Sequence, residues 1–249
     1  LSHDVRDEAA IYSPSIRLST CSPIVPFSKR LRLLMIIPIY FSSRCFSVGG
    51  WMGEGLAVTL FCEDRAHELF VRALIDRVAR EEGIEVSLDV SNAVGGKGKV
   101  IDELRTFQRV VDRGSHWSSR DLLAVVVDSN NVGWREQRRR LEAEIDGSVW
   151  PDCVVGCPEP HIEKWCFVDE RAFKHVVGVA PPNVTASGRD AYKAAFHDAV
   201  SRAPAFVLTD AMELAPDIVE AIEWPRASRD RSLKDFISQL HGVFRRRKP

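Results

Sequence analysis

Apolar positions fall without any period through residues 1 to 51, where Ser and Pro punctuate the chain, and become regular from Leu56 onward. Leu56 to Cys62 (LAVTLFC) is a β-prone, nearly continuous apolar run of strand length, the pattern of a strand buried on both faces, and it ends at Glu63. Residues 64 to 82 carry Leu69, Phe70, Ala73, Leu74 and Val78 at helical spacing, and Gly83 is placed to stop that helix. Glu85 to Val90 reads as a second strand. A glycine-bearing loop, Ser91 to Lys97, leads into a helix marked by Val100, Ile101, Leu104, Phe107, Val110 and Val111. Leu122 to Val127 (LLAVVV) is the third strand and the most apolar run, residues 134 to 146 a charged surface helix, and Asp152 to Gly156 a short fourth strand. The succession βαβαβαβ predicts an α/β fold, a mostly parallel sheet flanked by helices on both faces. Beyond Pro158 the spacing is helical in five segments (161–169, 170–177, 190–202, 211–224 and 232–244), which predicts a C-terminal helical cap.

This pattern divides the chain into a poorly ordered N-terminal extension (1–51), an α/β domain (52–185) and a helical region packed on it (186–249). The 45% hydrophobic content over 249 residues is ample for a core. Lys and Arg (34) nearly cancel Asp and Glu (35), so any basic surface for a nucleic acid must be local. Six irregularly spaced cysteines do not form a disulfide framework, and the expected compartment is the cytoplasm. The longest apolar run, Leu33 to Phe41, is too short to span a bilayer and contains Pro38, so no membrane partner is expected. Cys153, Cys157, His161 and Cys166 have spacings open to a zinc site, although Cys153 and Cys166 lie in apolar stretches where free cysteine packs as a small hydrophobe. The terminal Arg245, Arg246, Arg247 and Lys248 read as a disordered tail.

Two apolar strands end in acid: Glu63, with Asp64 beside it, and Asp128. In an open parallel sheet, ligands bind outside the carboxyl ends of the strands, so acids there are the first candidates for chemistry. Each also has a plain structural role open to it, Glu63 or Asp64 as a helix cap and Asp128 in an Asx turn with Ser129, Asn130 and Asn131.

The succession LAVTLFCED, an amphipathic helix, the loop NAVGGKGK and the strand LLAVVVDSNN resembles the Toprim domain of topoisomerases, primases and OLD-type nucleases, over about residues 56 to 185. Pro158 to Phe173 (PEPHIEKWCFVDERAF) is similar to a segment of stand-alone Toprim-like proteins of bacterial defence loci. The resemblance implies a Toprim-like, Rossmann-like sheet and a nuclease acting on nucleic acid with Mg²⁺ or Mn²⁺, with an ATPase partner protein. It implies catalytic roles for Glu63 and Asp128, with Glu63 moving a proton and Asp128 holding metal. Asn130 stands where the family has a second acid, which removes one charge from a hard-cation site. Glu163 is the candidate to restore it, and Asp169, six residues on, shares no helix face with Glu163 unless the helix breaks. Lys97 and Lys99 are the candidate phosphate contacts; the arginines of residues 135–140 read as a solvated face balanced by Glu136, Glu142 and Glu144; and Trp165 reads as core. Two other functions remain open, an inert Toprim-like binding or assembly module, for which Asn130 speaks, and a nucleotide-binding regulator on a related sheet.

Overall fold

The computed structural model describes residues 55–95, 99–114, 121–130, 132–184, 190–203 and 210–248. The expected N-terminal extension and Lys97 lie outside these residues.

β1 (Leu56–Cys62), β2 (Val86–Asn92), β3 (Leu122–Val126) and β4 (Cys153–Gly156) form one four-stranded sheet in the order β2-β1-β3-β4, with every pairing parallel. α1 (Arg65–Glu82), α2 (Val100–Arg113) and α3 (Trp134–Glu142) are the three crossovers between successive strands. Alternate residues of each strand face opposite layers. Val58, Leu60, Cys62, Leu122, Ala124 and Val126 join one core with α1 and the later helices, while Phe61, Leu123, Val125 and Val127 join a second core with α2 and α3. Both faces are therefore covered, which explains why β1 and β3 have no polar alternation. The protein is an α/β fold of Rossmann-like type.

α1 starts where Asp64 accepts hydrogen bonds from the Ala66 and His67 amides, and it stops at Gly83, whose φ of 69° is the left-handed conformation glycine adopts without strain. The helical segment expected over residues 161–169 is broken: α4 covers only Ile162–Cys166, and α5 (Glu170–Val177) begins afresh with Asp169 as its N-cap. The C-terminal helices are α6 (Ala191–Ser201), α7 (Ala215–Ala221), α8 (Trp224–Ala227) and α9 (Arg231–Arg247). They share the core of the α1 face, where Trp165, fully buried, stacks on Phe236 at 6.0 Å between ring centres.

The basic C-terminus is not a disordered tail. α9 runs through Arg247 because its cations have acids to meet: Arg246 and Arg247 bind Asp152, and Arg245 and Lys248 bind Glu82. Glu82, buried at the end of α1, accepts from His241 Nδ1 at 2.6 Å, Arg245 Nε at 2.9 Å and Lys248 Nζ at 3.1 Å. These bonds, His241's first, hold its carboxyl at about 2, against an ordinary 4.5. A carboxyl depressed in the folded state stabilises the fold above its unfolded pKa and ceases to do so as pH falls through its folded one. Thermal unfolding followed from pH 5 downward is thus expected to show a loss of stability between about pH 4.5 and 2 that is smaller in Glu82→Gln. Identical acid slopes for the two proteins would show that the cluster contributes nothing.

Candidate functional site

The strand order reverses at β1: the chain leaves β1 for β2 on one side and returns to β3 on the other. Two crossovers that diverge in this way leave a crevice at the carboxyl ends of the central pair, the place where ligands enter open α/β sheets. Register then sets the acids side by side. Cys62 pairs with Val126, so Glu63 leaves β1 level with the last residues of β3, and its carboxylate accepts from the Asp128 amide at 3.3 Å. The crevice has a volume of about 120 Å³ and is lined by Glu63, Asp64, His67, Asp128, Asn130 and His161, with Ile162 and Glu163 from α4 and Asp190 and Lys193 from the start of α6.

His67 is the centre of this group. It sits in the first turn of α1, three residues after the N-cap, and is 1% exposed. Its Nδ1 meets Asp64 Oδ1 at 2.8 Å and its Nε2 meets Asp128 Oδ1 at 3.0 Å. Ionised carboxylates only accept hydrogen bonds, so two such partners require both ring nitrogens to donate, and the ring is an imidazolium. Burial alone would push its pKa down, but the charge and hydrogen bond of Asp128, joined by those of Asp64, raise it to about 10. Burial pushes both aspartates the other way. The His67 hydrogen bond and charge nevertheless hold Asp64 at about 2, and the His67 charge with hydrogen bonds from His161 and His67 hold Asp128 below its ordinary value. The second oxygen of Asp128 accepts from His161 Nδ1 at 2.8 Å.

Glu63 and Glu163 behave differently. Burial raises the pKa of each, and the negative charge of Asp128 adds to it, against the opposing charge of His67. Glu163 is 6% exposed and does not pair with Lys164, which reaches Asp230 at 3.3 Å instead. The site thus holds two carboxylates kept charged by imidazole and two kept closer to neutrality, a division that suits one set to bind and the other to carry a proton.

Asn130 lines the same crevice with a φ of 52°, in the left-handed region that asparagine tolerates, and its side chain donates to the Asp128 carbonyl at 3.2 Å. The loop is pinned to the Pro158–Pro160 segment, where the Ser129 amide donates to the Pro158 carbonyl and the Asn130 amide to the Pro160 carbonyl. Those bonds bring His161 to Asp128.

The structure therefore places Glu63, Asp128, Asn130 and Glu163 around one crevice and leaves Lys99 out of its lining, in the turn before α2. The neighbouring loop amides are engaged as well: Val94 and Gly95 donate to the carboxylate of Glu103 at 2.6 and 2.7 Å. Among the described residues the lysine that lines the crevice is Lys193, on α6. Asp169 is spent on capping α5 and on accepting from the Glu223 amide at 3.0 Å. Cys153 is exposed while Cys157 and Cys166 are buried, and these cysteines are in no cluster of ligands among the described residues. The ligand group that does assemble among those residues is Glu63, His67 and Asp128, whose donor atoms lie within 4.8 Å of one another and can close on one metal ion. His67 is the member of this group that sequence reasoning does not single out, although a histidine one helical turn after a strand-ending acid is the signal that would find it. Among the described residues no helix is long and apolar enough to cross a membrane. Comparison with protein-family models, with curated proteins and with solved structures returns no match.

Proposed function

We propose that the chain is a divalent-metal-dependent phosphodiesterase acting on nucleic acid, with a Toprim-like arrangement of its acids. The observation that carries this reading is the Glu63, His67 and Asp128 donor set, closed to within 4.8 Å at the switch point of a parallel sheet. Donor chemistry narrows the ion. An imidazole among carboxylates favours Mn²⁺ over Mg²⁺, which is bound mainly by oxygen, and Asn130 in place of an acid takes charge away from a hard-cation site. The Nδ1 bond of His67 to Asp64 orients the ring so that Nε2 points to the centre of the site, the usual carboxylate support of a metal-bound histidine. His67 would hold an ion only as a neutral imidazole and would give up its Nε2 proton to do so. The bound ion would polarise a phosphoryl oxygen and lower the pKa of a coordinated water. Glu63, with its pKa raised by burial, moves the proton of the attacking water, and Glu163 lies close enough to the same crevice to serve the leaving oxygen. Lys193 offsets phosphate charge at the rim.

One observation favours a second reading. Both oxygens of Asp128 are already satisfied by His67 and His161, so the imidazolium stands where a metal would. On that reading the cluster is a structural ion-pair network and the chain an inert binding or assembly module.

The two readings part in one experiment. Mn²⁺ binding by calorimetry is paired with cleavage of single-stranded DNA, plasmid and bulk transfer RNA, using wild type, Glu63→Gln and Asp128→Asn. The hydrolase reading expects Mn²⁺ to bind, cleavage to stop in EDTA, and Glu63→Gln to cut at least about a hundredfold more slowly and to bind the ion more weakly, since it loses one charged donor of three. Wild type that neither binds Mn²⁺ nor cuts would leave the ion-pair network as the account of the site.

A further inference from the structure

α4 is shared between two depressions. Glu163 lines the acid crevice, and the next residue, Lys164, lines a larger open groove of about 560 Å³. The walls of that groove come from α3, with Trp134, Arg135 and Arg139, and from the turn after α8 and the first residue of α9, with Arg229 and Arg231. Two of its three acids are already paired. Glu136 is bound by Arg139 and Arg140, and Asp230 caps α9 and pairs with Lys164. Arg135, Arg229 and Arg231 are exposed and make no ion pair among the described residues, against one unpaired acid of the groove, Glu159. In a chain of net charge −1, three guanidinium groups without an ion pair, against one such acid, on one concavity are a local positive excess, not the average surface.

We propose that this groove is the track for a single-stranded polynucleotide, whose backbone it delivers to the acid crevice. The proposal rests on the phosphodiesterase reading and adds to it the substrate class. Arginines contributed by two separate elements along one open groove suit a row of phosphates. Trp134 is half-buried, packed on the α2 and α3 core, and carries the Arg135 guanidinium over its ring at 4.8 Å from the centroid. An aromatic ring and a planar cation beside a basic groove are the parts that stack unpaired bases, which a duplex does not expose. Lys164 in the groove and Glu163 in the crevice are neighbours on α4, which is the link between the two depressions.

The test reads binding without metal, so that it stands apart from catalysis. The full chain is titrated in EDTA with a fluorescein-labelled oligothymidylate of about a dozen nucleotides, and with the RNA and duplex equivalents, by anisotropy across a salt series. Wild type is expected to bind both single strands more tightly than the duplex. The triple variant R135E, R229E and R231E is expected to bind at least about tenfold more weakly, with the slope of log K against log salt reduced by about two, because three guanidinium groups no longer neutralise phosphates. A charge-reversal control on exposed Arg109 of α2, remote in sequence from the groove, is expected to leave binding unchanged, and circular dichroism confirms that each variant is folded. The proposal is overturned by wild type that fails to bind single strands, by a duplex bound as tightly, or by a triple variant that binds like wild type. If the oligonucleotide binds through these arginines but is never cut, the groove stands and the hydrolase reading falls; if cutting persists in the triple variant, the reverse holds.

Discussion

Replacing His67 with alanine is expected to lower the unfolding free energy by about 3 kcal/mol and to remove any stabilisation that Mn²⁺ confers. The magnitude follows from what the ring does. His67 is a buried cation between two carboxylates, and deleting one partner of a buried pair leaves the other charged and unsatisfied. Asp64 is half-exposed and recovers water, so most of the cost falls on Asp128, which keeps His161 but loses the charge that lets it remain ionised in a buried place. The two proteins are compared by urea denaturation with Mn²⁺ and with EDTA. Under the hydrolase reading wild type gains stability with Mn²⁺ and His67→Ala gains little, because the ligand is gone. Under the ion-pair reading neither responds to the ion. A loss below about 1 kcal/mol would mean that the imidazolium does not hold the two strand ends together.

Trp165→Ala is expected to cost more, about 4 kcal/mol, with no direct effect on the chemistry of the carboxylates. The indole is completely buried where α4 meets α1 and α9, 5.7 Å from Phe70 and 6.0 Å from Phe236 between ring centres. Its Nε1 donates to Ser232 Oγ at 2.9 Å, next to the Asp230 cap of α9. Truncation opens a cavity that these rings cannot collapse into, because each is held by its own element. Trp165→Phe, which keeps most of the volume and loses the hydrogen bond, should cost less than half as much. Equilibrium unfolding by far-ultraviolet circular dichroism distinguishes the two, and equal losses would place the energy in the hydrogen bond and not in the packing.

Several features are legible without coordinates because they depend on neighbours in sequence. β1 runs from Leu56 to Cys62 as expected, since an apolar run cut off by two acids has only one place to end. α1 ends at Gly83 for the same local reason. β2 is displaced by two residues at its carboxyl end and one at its start, to Val86–Asn92, because its alternating pattern is weak at an edge with one side less covered. The basic terminus reads as a tail from sequence because a run of like charges repels itself until acids from elsewhere are supplied, and Glu82 and Asp152 lie far away in sequence. The break between α4 and α5 is open in the spacing of Glu163 and Asp169 and is decided by Asp169 acting as a cap.

By itself, the sequence determined an α/β chain whose apolar strands end in Glu63 and Asp128, because hydrophobic period and the termination of a run are properties of adjacent residues. Only the tertiary structure decided that β1 and β3 are neighbours, that His67 lies between Asp64 and Asp128, and that Lys193, not Lys99, lines the crevice. The periodicity of a strand says which face is buried but not which strand lies beside it. A pair such as His67 and Asp128, 61 residues apart, exists only once the crossovers have set the order of the sheet.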